Sequence, residues 1–190
     1  MAKAKTKQST NVQSAAVKQV FTYLSVIASI LLFTIGGLAL WGNSFASNMV
    51  QTELTAQRIY FPEKGTPALD PEVYPDLQKY AGQLVDSPEK AKAYANGYIG
   101  RHLDQMSGGK TYAEISNEAM ANPDDANLQE LKASLFQGQT LRGVLLTSGY
   151  GFGTLGQIAG VAAYVAFIGA VVMLGVAYLL HISNRSSSKK

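Results

Sequence analysis

The side chains that could do chemistry here are few and scattered. The only histidines are His102 and His181, and there is no cysteine. That removes disulfides, thiolate metal sites and cysteine nucleophiles together. Two histidines so far apart in sequence make no local pair for a zinc or haem site. A serine–histidine–acid set would need His102 as its base, with Ser107 or Ser116 as nucleophile. Nothing in the spacing separates those residues from ordinary helix composition, and His102 beside Arg101 reads as a surface or packed helix residue. Gly108-Gly109-Lys110-Thr111 has the look of the end of a phosphate loop, but the full pattern requires glycine at position 104, where the chain has Asp104. A helix stop followed by an N-cap accounts for it better. No catalytic, cofactor-binding or metal-ligating residue is assigned, no cofactor is expected, and the chain is read as not an enzyme.

The elements that would have to hold any such residues are dominated by two uncharged runs. Phe21 to Gly42 carries no charge and includes eleven Leu, Ile, Val and Phe residues. At 1.5 Å per residue it makes a helix of roughly 33 Å, one hydrocarbon thickness. Those eleven favour insertion by about 5 kcal/mol together. Ile158 to Leu180 is a second run of the same kind. Neither contains Asp, Glu, Lys, Arg or a central His, so neither offers a proton or ion relay of its own. The expected fold is an all-α membrane protein, two transmembrane helices with a helical extracytoplasmic domain between them. Its divisions are a basic tail over 1–20, a first span over 21–42, the domain over 43–155, a second span over 156–181 and a basic tail over 182–190.

Charge placement gives the orientation. All 13 acidic residues lie between Glu53 and Glu130, with nine basic residues among them and beyond, so the middle is −4. Lys3, Lys5, Lys7, Lys18, Arg185, Lys189 and Lys190 make the tails +7. The positive-inside bias puts both tails in the cytoplasm, and an even number of spans requires them to share a side. The expected location is therefore the plasma membrane, with the middle outside. Opposite compartments explain the split without a nucleic-acid partner, while the basic tails could hold anionic lipid headgroups. Phe21, Tyr23, Trp41, Phe45, Tyr150, Phe152, Tyr178 and His181 stand at the interface edges. Ser44-Phe45-Ala46 has the form of a signal-peptidase site, but the first run is about twice the usual length for a cleaved signal, so it is read as an uncleaved anchor.

Proline and glycine divide the middle into helices, with no strands expected. The first helix is predicted to run on through Met49, Val50, Leu54 and Ile59 until Pro62. Ser87 caps a helix with Pro88 in its first turn and Ala95, Ile99, Leu103 and Met106 on one face, ended by Gly108 and Gly109. Thr111 and Glu114 form a capping box, and Asn122-Pro123 stops that helix. Asp124 and Asp125 begin another, with Leu128, Leu131 and Leu135 inward. Gly149, Gly151 and Gly153 are expected to break it, and Thr154 with Gln157 to open the second span as a new box. No internal repeat or coiled-coil heptad is found. The spans do carry small residues that permit close helix contact in lipid: Gly36 and Gly37 in the first, and Gly156, Gly160, Ala162, Ala166 and Ala170 in the second.

The stretches Asp76 to Leu103, Gly109 to Ala121 and Leu135 to Gly156 resemble a family of small two-span actinobacterial membrane proteins. That family includes accessory subunits of the respiratory supercomplex joining the cytochrome bcc complex to its aa-type oxidase. The resemblance implies a non-catalytic accessory subunit whose partners are larger integral membrane subunits, those of the bcc complex and the oxidase. It carries no active-site residues. The alternative expectation is a membrane-tethered extracytoplasmic binding module, and a membrane-bound hydrolase using His102 is the third.

Overall fold

The computed structural model describes residues 2–188; the expected charges at Lys189 and Lys190 lie outside them. The described residues are all-helical apart from turns and one isolated backbone bridge. The elements are α1 (Ala2–Ala56), α2 (Pro88–Lys92), a π-helical stretch (Ala93–Gly100), α3 (Arg101–Ser107), α4 (Tyr112–Ala121), α5 (Ala126–Val144), a second π stretch (Leu145–Gly151) and α6 (Phe152–Ser188). Two of these helices are long and apolar enough to cross a membrane. Only 17% of the most apolar window of each is buried, whereas a core helix of a water-soluble protein would hide most of such a window. The chain forms two compact units, one of residues 1–44 with 158–190 and the other of residues 45–157.

The first unit is an antiparallel helix pair. Along α1 the inward positions are Thr22, Ser25, Ser29, Leu32, Gly36, Ala39 and Asn43, alternately three and four residues apart. That is a seven-residue period, the period of a left-handed supercoil. It corrects the expectation of no heptad: apart from Leu32 the repeat is carried by small and polar residues, which a search for apolar a and d positions passes over. In lipid an apolar side chain gains nothing by facing another helix, so the seam falls to residues that let backbones approach. Most of the large apolar residues point outward, among them Leu24, Ile27, Leu31, Leu38, Val161, Val165, Ile168 and Val172.

The second unit has its own core. Val50 and Leu54 from α1 meet Phe61, Leu69, Tyr74, Leu77, Val85, Ala91, Ala95, Ile99, Leu103, Ile115, Leu135 and Leu145. The α1 helix stops at Ala56, short of Ile59, because Arg58 takes a left-handed conformation (φ 52°). Ile59 instead accepts a backbone hydrogen bond from Val85, and Phe61 donates one to Gln83. Two short 3-10 turns, Pro67–Leu69 and Pro75–Tyr80, each begin on a proline and deliver Leu69, Leu77 and Tyr80 to the core. The caps expected at Ser87, Thr111 and Asp125 all form. Thr111 and Glu114 make both bonds of the box, and Gly108 closes α3 in the left-handed conformation.

The expected break at Gly149, Gly151 and Gly153 does not occur. The helix passes through Gly149 and Gly151 as a π stretch and through Gly153 as α6, and Thr154 opens nothing: its hydroxyl donates to the Tyr150 carbonyl within the helix at 2.7 Å. Glycine is needed there for proximity. A Cβ on Gly149 would stand 2.9 Å from that of Ala91, and one on Gly153 would collide with the Pro88 ring. Both glycines let α2 lie directly against the helix, a gain that outweighs their poor helix propensity of about 1 kcal/mol each.

Candidate interaction surfaces

The residues first considered for chemistry are held in separate settings. His102 is exposed, and its ring stacks on Tyr98 with centroids 6.4 Å apart. Ser107 is buried, and its hydroxyl has no hydrogen-bond partner among the described residues. Gly109 has φ 81° and follows the Gly108 cap, so Gly108 to Thr111 is the turn between α3 and α4. Among the described residues no group of three or more His, Asp and Glu side chains is gathered as metal ligands would be.

In the helix pair the small residues divide between two faces. The Ser29 hydroxyl donates to the Ala170 carbonyl across the pair at 2.9 Å. Gly36 receives the Phe167 ring, where a Cβ would stand 2.8 Å from it, and Phe33 lies beside the same ring. Gly160 receives the Asn43 amide, with 2.9 Å to a Cβ. Ala166 and Ala170 are buried, as is Ala163, which was not singled out in the sequence. Gly37 and Ala162 face outward, and a Cβ on Gly37 would meet nothing within 4 Å. Gly156, in the other unit, is buried. Lys18 closes the end of the pair by donating to the Ser183 hydroxyl at 2.9 Å.

The core of the second unit is unusually aromatic. Phe61 stacks on Tyr80 and meets Tyr94 edge-on; Tyr94 contacts Tyr98, and Tyr98 contacts Tyr74. Burial raises the phenol pKa of Tyr74, Tyr94 and Tyr98 above the ordinary value. Arg101 grips Asp76 with two bonds of 2.6 and 3.0 Å, donates a third to the Val73 carbonyl, and lies over the Tyr74 ring. Its guanidinium holds the Asp76 carboxyl below the usual carboxylate range. The sequence reading had Ala95, Ile99 and Leu103 inward, which they are, and Met106, which is exposed. It missed the tyrosines, whose signal was the four-residue spacing of Tyr94, Tyr98 and His102.

Two surface features stand apart from this core. The exposed face of α5 and the following π stretch runs through Ala133, Phe136, Gln137, Thr140, Val144 and Thr147, with Lys132 beside Ala133 and Phe136 at its start and no charge among those six. Arg142 alone breaks the neutrality from Ala133 to Thr147, and it turns aside to donate twice to the Asn96 side-chain oxygen. At its lower end the face borders a cleft of about 250 Å³ walled by Met49, Leu54, Val144, Leu145 and Phe152, with Glu53 and Gln57 at its rim. Phe136 is 58% exposed and Val144 44%. An uncharged, partly aromatic strip beside an apolar cleft has the composition of the central part of a protein interface.

Comparison with protein families, curated proteins and solved structures finds no match to this chain.

Proposed function

We propose that this chain is a non-catalytic accessory subunit of a membrane protein complex. Both apolar helices cross the plasma membrane, both termini are cytoplasmic, and the 45–157 unit stands outside, where its uncharged face covers part of a larger subunit. The observation that carries this reading is the neutral α5 face from Ala133 to Thr147 with its apolar cleft, on a unit otherwise rich in charge. Phe136 and Val144 stand exposed where charge is depleted, the composition of the central part of an interface. The orientation rests on the tail charges and the positive-inside bias. The resemblance of Asp76 to Leu103, Gly109 to Ala121 and Leu135 to Gly156 to the two-span actinobacterial family supports the cytochrome bcc and oxidase subunits of a respiratory supercomplex as its partners.

Purification of the tagged full-length protein from native membranes in mild detergent tests this. Haem-containing subunits should accompany it in fixed ratio, and Phe136→Glu with Val144→Lys should release them while the protein stays folded. Recovery of the wild-type chain alone, without haem absorbance, would refute the reading.

A membrane-tethered extracytoplasmic binding module is the second reading, favoured by the separate core of the 45–157 unit. Under it a soluble or envelope partner, rather than membrane subunits, is recovered with the full-length protein.

A further inference from the structure

On the second unit a groove of about 370 Å³ opens between the Pro75–Tyr80 turn and the helix that begins at Pro88. Three cations line it, Lys79, Lys92 and Arg101, against two carboxylates, Asp76 and Glu89. It is thus locally positive on a unit whose own balance is −4.

Both carboxylates are already engaged. Asp76 lies in the Arg101 fork, and Glu89 accepts the Tyr80 hydroxyl at 2.7 Å. The two lysines instead rest on aromatic faces. Lys79 Nζ is 4.7 Å from the Tyr80 ring centre, and Lys92 Nζ is 4.6 Å from that of Tyr150, whose hydroxyl it also reaches at 3.3 Å. A ring holds an ammonium in place while leaving N–H donors unspent. Asn96 adds a neutral donor: Arg142 donates to its Oδ1 at 3.2 and 3.0 Å, which fixes the amide and leaves its NH₂ as the group without a partner among the described residues.

We propose that this groove is an oxyanion site that takes a phosphate group, with Lys79, Lys92 and Asn96 as its donors. Two pre-positioned ammonium groups and an oriented amide match the several acceptor oxygens of a phosphate, and charge-assisted bonds of this kind are the strong ones. A lipid headgroup and a small solute both present a phosphate, and the chemistry at the groove is the same.

The test uses full-length protein in two arms. In the first, protein in phosphatidylcholine nanodiscs is titrated with inorganic phosphate by calorimetry. In the second, protein purified from mixed phosphatidylglycerol and phosphatidylcholine micelles is assayed by mass spectrometry for retained lipid. Saturable binding in the first arm assigns a soluble phosphate, and enrichment of phosphatidylglycerol in the second assigns a headgroup. In whichever arm responds, Lys79→Gln with Lys92→Gln should weaken binding at least tenfold, the paired arginine variant should retain it, and Lys132→Gln, outside the groove, should leave it unchanged. Asn96→Asp places a carboxylate among the donors and should weaken binding without touching the lysines. No response in either arm overturns the proposal, as does an equal loss in Lys132→Gln.

Discussion

The Ser29 hydroxyl donates a 2.9 Å hydrogen bond to the backbone carbonyl of Ala170, joining two helices that also meet where Gly36 receives the Phe167 ring and Gly160 the Asn43 amide. That carbonyl already serves its own helix, so the serine uses its second lone pair, and neither helix gives up a backbone bond. Interhelical bonds of this sort contribute about 0.6 kcal/mol in membrane proteins.

Gly36→Leu should therefore do more harm than Ser29→Ala. The alanine loses one modest bond; the leucine must displace the Phe167 ring from a site where even a Cβ stands 2.8 Å away. Intramolecular crosslinking between cysteines introduced at Ser25 and Ala177, read in membranes, should survive Ser29→Ala and fall sharply in Gly36→Leu. Gly37→Leu, on the outward face of the same helix, should leave it unchanged.

Thr111→Ala should destabilise the 45–157 unit by about 1 kcal/mol, the usual worth of an N-cap. Thr111 accepts from the Glu114 backbone N–H at 3.3 Å, while the Glu114 carboxylate accepts from the Thr111 N–H at 2.7 Å. Thermal unfolding followed by circular dichroism measures it, and Thr111→Ser, which keeps a capping hydroxyl, should recover most of the loss.

The Asp76 carboxyl is held low chiefly by the hydrogen bonds from Arg101. A carboxyl with a depressed folded pKa stabilises in full above its unfolded value, here 3.8, and that contribution disappears as the pH falls through the lower folded value. Acid titration of unfolding should show this limb in the wild type and lose it in Asp76→Asn. Arg101→Lys should flatten the same limb, because an ammonium cannot reproduce the two-pronged grip.

Helix starts were legible in the sequence because their chemistry is local. Ser87, Thr111 and Asp125 each satisfy an N–H three residues on, and side-chain type and spacing alone specify that. The helix through Gly149, Gly151 and Gly153 was not legible, since the close approach of Ala91 and Pro88 that favours glycine there comes from some 60 residues upstream in the chain. Likewise the helix-pair seam was hidden within an apolar run, where Ser25, Ser29 and Asn43 look like interruptions although they mark the inward side. The α5 strip was invisible for a different reason. It is defined by charges that are absent, and only the fold shows that Arg142 turns away from it to Asn96.

Because the chain has no cysteine, single cysteines can report topology without background. Thr140→Cys on the exposed face of α5 and Gln13→Cys near the start of α1 are both exposed positions. A membrane-impermeant maleimide added to intact cells should label Thr140→Cys at once and reach Gln13→Cys only after the membrane is opened. Labelling in the opposite order, or equal labelling of both in a protein that stays in solution after high-speed sedimentation without detergent, would contradict the account.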